Sequence, residues 1–79
     1  MVGVIEDLPN TERFERIRAI AAALVELLRS NGGAMAVLDV LRETAARFNT
    51  MISQIRYGLD YALSLKLVRL SDEKTLALA

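Results

Sequence analysis

Hydrophobic positions recur along this chain in two periods, and the change from one to the other organises it. From Thr11 to Ser30, Phe14, Ile17, Ala21, Leu24 and Leu28 follow the i, i+3, i+4 spacing of one helix face, and Ile20 and Leu27 widen the stripe. Glu12 with Arg16 and Glu15 with Arg18 sit at i, i+4 and i, i+3 on the wet side. "DLPN" stops the apolar lead-in "MVGVI", because Pro9 lacks a donor and restrains Leu8, and Asn10 or Thr11 is placed to cap the helix. "SNGG" ends it, with Asn31 or Gly32 the left-handed residue.

"GAM", Gly33 to Met35, is short enough for a single pairing strand. A second helix is predicted over about Val37 to Phe48. Its core side is Val37 or Leu38, Leu41, Ala45 and Phe48, and its wet side is Asp39, Arg42, Glu43 and Arg47. "FNT" breaks it, and Asn49 or Thr50 caps a third helix running to about Leu65, with Ile55, Leu59, Ala62 and Leu63 as its stripe. After that the period becomes two. Val68 and Leu70 alternate with Arg69, Leu76 and Leu78 flank Ala77, and "SDEKT" is a polar turn, so the chain ends in a β-hairpin. The expected organisation is an arm over 1–10 and one mainly α domain with a small β wing over 11–79.

Composition narrows what such a domain can do. The chain has 79 residues, enough for one small core. It is 53% hydrophobic and only 5% aromatic, so the core is aliphatic and some apolar surface is expected to face a second copy. Cysteine and histidine are absent, which removes disulfides, thiolate metal sites and the commonest general base. Neither the carboxylates nor "NGGAM" forms a catalytic or phosphate-loop pattern, so no enzyme and no cofactor is expected. The longest uncharged apolar stretch, "AIAAALV", stops at Glu26, far short of a membrane span, and "MVGVIEDLPN" lacks the pattern of a signal peptide. A cytoplasmic location is expected.

Formal net charge is zero, which argues against a strongly basic nucleic-acid binder. The charge is nevertheless uneven: from Thr44 onward Arg47, Arg56, Lys66, Arg69 and Lys74 oppose only Asp60, Asp72 and Glu73.

The order helix, strand, helix, tight turn, helix, hairpin is that of a winged helix-turn-helix. "ISQIRYGLDYALSLKLVRLSDEKTLAL" carries the resemblance most fully. Over about 11–79 the chain resembles the winged-helix DNA-binding domains of small bacterial, archaeal or viral transcriptional regulators. In that family the recognition helix repeats apolar residues at spacings near four and three, then closes on a small-residue-Leu-Val step into the wing. Here Ile55, Leu59 and Ala62 or Leu63 supply the repeat, and Lys66, Leu67 and Val68 the step. Two departures stand out. Lys66 occupies a turn where glycine is common, and the wing holds Asp72 and Glu73, whose sign opposes phosphate.

The resemblance implies that the outward face of the third helix enters the major groove of duplex DNA. Ser53, Gln54, Arg56, Tyr57 and Tyr61 are its candidates, with Gln able to read adenine, Arg guanine, and Tyr hydroxyls phosphate. Arg47, Thr50, Arg69 and Lys74 are placed to meet the backbone. A homodimer through Ala19, Ile20, Ala22, Ala23 and Leu27 of the first helix, helped by the "MVGVI" arm, would present two such helices. The competing reading is a protein-docking winged helix within a larger nucleic-acid-processing complex, with the Tyr57/Tyr61 face against a protein partner.

Overall fold

The computed structural model describes residues 4–79. Three helices and a three-stranded antiparallel sheet make up the domain: α1 (Asn10–Ser30), β1 (Ala34–Ala36), α2 (Val37–Phe48), α3 (Ile52–Ser64), β2 (Val68–Leu70) and β3 (Thr75–Leu78). A 3-10 turn at Ile5–Asp7 precedes α1. The "MVGVI" arm lies partly outside the described residues; what is described of it packs inward, with Ile5 only 1% exposed.

Each helix ends by the same device, at the residues that the pattern of apolar positions leaves free. At the end of α3, Leu67 N–H donates to Ala62 C=O at 2.9 Å and Lys66 N–H to Leu63 C=O at 3.0 Å. α2 repeats this with Thr50 N–H to Ala45 C=O and Asn49 N–H to Ala46 C=O, and α1 closes with Gly33 N–H on Leu28 C=O. These paired bonds satisfy carbonyls that the helix leaves orphaned, and they require a left-handed residue. Gly32, Asn49 and Lys66 take that role, with φ of 80°, 51° and 60°.

Asn49 therefore ends α2 and does not cap α3, whose first residue follows Met51 without a side-chain cap. Pro9 stands at the start of α1, and neither Asn10 nor Thr11 caps it. Lysine at a left-handed position costs roughly 1–2 kcal/mol that glycine does not. Lys66→Gly is thus expected to stabilise the domain by about 0.5–1 kcal/mol after the larger chain entropy of glycine is deducted, and Lys66→Val to destabilise it. Thermal unfolding midpoints check both.

The sheet order is β1-β3-β2, so the last strand is central. Ala34 pairs with Ala77 and Met35 with Leu76 on one side, while Val68 pairs with Leu78, Arg69 with Ala77 and Leu70 with Leu76 on the other. β1 runs directly into α2, and Val37 N–H donates to Lys74 C=O at 2.8 Å, which ties the hairpin turn to the start of that helix. Because β3 has a strand on each side, Ala77 is buried although it alternates out of phase with Leu76. Leu70, expected on the same inward side as Val68, lies at the end of an edge strand and is half exposed.

The core gathers Ile5, Ile20, Leu24, Leu28, Val40, Leu41, Ile55, Leu59, Ala62, Val68 and Leu76. α1 packs against α3 more extensively than against any other element, and at Gly58 the two come close, with the glycine facing Ile20 and the backbone of Ala21. Three expectations are corrected. Phe14, read as core, is 48% exposed, because it lies at the rim of the α1–α3 seam, where its ring meets Tyr61. Ile20 and Leu27, read as a dimer surface, are buried within the domain's own core, because helices on two sides use both flanks of α1. Of Val37 or Leu38 it is Val37 that packs against the core while Leu38 is exposed, and Val40 and Thr44, not expected there, are buried. Of the expected α1 dimer surface only Ala19 and Ala22 are exposed, with Ala23 half-buried.

Candidate nucleic-acid interface

α3 buries Gln54, Ile55, Gly58, Leu59 and Ala62, which leaves Ser53, Arg56, Asp60 and Ser64 on its outward side and Tyr57 at the border. Gln54 is the main departure from expectation. Helical periodicity places it next to the stripe, and it sits inside, with 6% of its surface exposed. Its Oε1 accepts the Ile5 N–H at 2.6 Å, and its Nε2 donates to Glu6 Oε1 at 3.3 Å. It is a buried polar group hydrogen-bonded through both its oxygen and its nitrogen to the segment before α1, which withdraws it from the outward face of α3. No signal in the sequence paired it with Ile5, since the two are forty-nine positions apart.

The tyrosines are drawn the same way. The Tyr57 hydroxyl faces the Glu6 carboxylate, and that hydrogen bond is the main reason the phenol is held above its ordinary pKa. At Glu6, burial pushes the carboxyl up. Donated bonds from Tyr57, from its own backbone and from Gln54, with the charge of Arg13, outweigh that and hold it below the usual carboxylate range. Arg13 Nη2 also donates to the carbonyls of Glu6 at 3.3 Å and Leu8 at 3.5 Å, fastening the segment to α1. Tyr61 is half-buried and meets Phe14 edge to face, with ring centroids 5.6 Å apart, and the Arg18 guanidinium lies 5.6 Å from the same Phe14 ring. Such contacts cover the α1–α3 seam with amphipathic rings. Tyr61 is therefore largely committed to the domain itself.

The remaining candidates are placed outward. Arg47 is exposed in the last turn of α2, Arg69 on β2 and Lys74 in the hairpin turn, while Thr50 is half-buried in the bend before α3. Arg56 and Lys74 line one open groove between α3, the hairpin turn and the start of α2, floored by Val37, Leu38 and Leu41, with Glu73 beside Lys74.

Among the described residues the one ion pair is Glu26–Arg29 at 2.8 Å, on α1. Arg47, Arg56, Arg69 and Lys74 thus keep their charges free, and Arg56 does not pair with Asp60. Asp72, which opposed phosphate binding on charge alone, holds the hairpin turn together, because its Oδ1 accepts the Lys74 N–H at 2.8 Å. That bond is the chief cause of its carboxyl lying below the usual range. It shapes the turn that presents Lys74.

No helix among the described residues is long and apolar enough to cross a membrane. Compared with known proteins, the chain matches no family model, no curated protein and no solved structure.

Proposed function

We propose that the chain is a winged-helix domain that binds duplex DNA, with α3 in the major groove and the β2–β3 hairpin as the wing, as a small regulator of transcription. The observation that carries this reading is the groove in which unpaired Arg56 on α3 and unpaired Lys74 on the hairpin turn stand together. Two cations on separate elements, converging at the outward side of one helix, suit a phosphate backbone that passes between helix and wing. The order of strands and helices around them is the one such domains use.

With Gln54 withdrawn into the domain, Ser53 is left as a base-reading group, and phosphate contact by Arg47, Arg56, Arg69 and Lys74 supplies most of the affinity. Anisotropy of labelled random duplex DNA, read at several salt concentrations, tests this. Four phosphate contacts set the slope of log affinity against log salt at no steeper than about −4, and Arg56→Ala is expected to reduce it by about 1. Absence of binding at micromolar protein in low salt would sink the proposal. The second reading, a docking winged helix, is favoured by the apolar floor of the same groove at Leu38 and Leu41. In that case DNA affinity is absent and a protein partner covers Arg56.

A further inference from the structure

The strand order puts β2 at the edge of the sheet, and no strand among the described residues pairs with its outer side. Leu67 C=O accepts from Ala79 N–H at 3.2 Å, Arg69 pairs with Ala77, and Ser71 N–H donates to Thr75 C=O at 2.9 Å. Antiparallel ladders alternate, so the peptide groups of residues 67, 69 and 71 face β3, and those of Val68 and Leu70 turn away from it. The side chains around this edge are unusually apolar. Leu65, Leu67 and Leu70 are 51%, 44% and 52% exposed within six residues of sequence. Domains normally protect such an edge with charge, proline or a covering element, and here Arg69 is the one charge within the strand. The opposite edge, β1, differs: its exposed side chains are the small Ala34 and Ala36, and it passes at once into α2.

We propose that the β2 edge is a self-pairing surface, and that a second copy of this chain lays its own β2 antiparallel against it. An antiparallel strand pair is isologous, so the outward groups of one copy fit those of the other. With Val68 of one copy opposite Leu70 of the other, both strands use both outward-facing residues, giving four backbone hydrogen bonds, the largest number this three-residue edge can form. The same register brings Lys66, just before the strand, beside Asp72, just after it in the other copy, and does so twice. Leu70 of each copy then lies opposite Val68 of the other on the inner face, and the two Leu70 side chains meet diagonally there. Arg69 meets Arg69 across the axis on the outer face, where both guanidinium groups stay in water. A short edge with three half-exposed leucines falls well below the roughly 800 Å² per partner of a standard stable interface, so the dimer is reversible and dependent on concentration. The interface does not rest on the DNA reading: it shares β2 and Arg69 with the wing, but the residues that test it, Leu70 and Lys66, are not among the phosphate contacts.

Sedimentation velocity of the DNA-free chain, from about 1 µM to about 1 mM, tests it. The expected result is a monomer that converts to a dimer as concentration rises. Leu70→Lys is expected to shift that conversion at least tenfold higher in concentration and Lys66→Glu to shift it less, with the helical circular dichroism of both unchanged. Ala22→Glu, on the exposed side of α1, is expected to leave the conversion where it is. A chain that stays monomeric throughout, a Leu70→Lys variant that dimerises like the parent, or an Ala22→Glu variant that alone abolishes the dimer would each overturn the proposal.

Discussion

Replacing Gly58 with alanine is expected to destabilise the domain by about 2–3 kcal/mol, despite alanine's better helix propensity. In an exposed helix interior the same change would gain about 1 kcal/mol. Here a Cβ would lie 2.6 Å from Ile20 Cβ and 3.1 Å from the Ala21 backbone nitrogen, and closer still to Ile20 Cγ2. Backbone and the root of a β-branched side chain cannot swing away, so α1 and α3 must separate along the contact that holds most of the core. In a domain of this size each kcal/mol lost lowers the unfolding midpoint by roughly 4–8 °C, so the effect is easily read by circular dichroism. The cause is separable from a general weakening of α3. In an Ile20→Gly background the two closest contacts are gone and the Ala21 nitrogen at 3.1 Å remains, so adding Gly58→Ala should cost clearly less than it does in the parent. Additive losses in the double variant would show that close approach at Gly58 is not the reason.

Gln54→Leu is expected to destabilise the domain by about 2–3 kcal/mol and to loosen the segment before α1. The change keeps the volume and adds apolar surface, so burial alone predicts little harm. It removes the acceptor of a buried N–H, however, and an unpaired buried donor costs about 1–3 kcal/mol. Ile5, 1% exposed, is anchored through that same bond, so part of its burial is forfeited as well. Amide exchange at Ile5 and at Asp7 should accelerate more than in β3. If Ile5 stays protected in the variant, the side chain of Ile5 alone holds the segment.

The segment also has a pH signature. The Glu6 carboxyl lies below its ordinary range in the folded chain, so its contribution is fully present above the unfolded value. That contribution fades as pH falls through the lowered one. Asp72 acts in the same direction. Stability should therefore decline on acidification, and Tyr57→Phe, which removes the largest stabilising bond to the carboxylate, should reduce the decline contributed by Glu6. An unchanged acid profile in Tyr57→Phe would assign the effect to Asp72 instead.

Much of the architecture can be read in the order of residues. Local signals act over a few positions and need no partner, so the three helices, the short strand at Ala34 and the terminal hairpin fall where the change of period puts them. Lys66 stands where the resemblance leads one to expect glycine, and it takes the left-handed φ all the same. Single side chains are less legible. Thr44 reads as neither core nor surface feature, yet it is buried, its hydroxyl without a hydrogen-bond partner among the described residues. Phe14 has the right spacing for core and the wrong place along α1.

What separates the two groups is range. Periodicity tells which side of a helix is apolar, and the residue content tells that histidine and cysteine chemistry is absent and that cations outnumber carboxylates from Thr44 onward. Neither tells how wide the covered arc is or which neighbour covers it. That depends on where α1 crosses α3, on the segment at Ile5 filling the end of the seam, and on β3 taking the middle of the sheet. Those packing decisions moved Gln54 from the expected DNA face into a buried hydrogen bond, took Ile20 and Leu27 from the expected dimer face into the core, and left the outer side of β2 without a strand partner among the described residues. Each joins residues distant along the chain, whose pairing is set by the summed fit of the whole core and by no local preference.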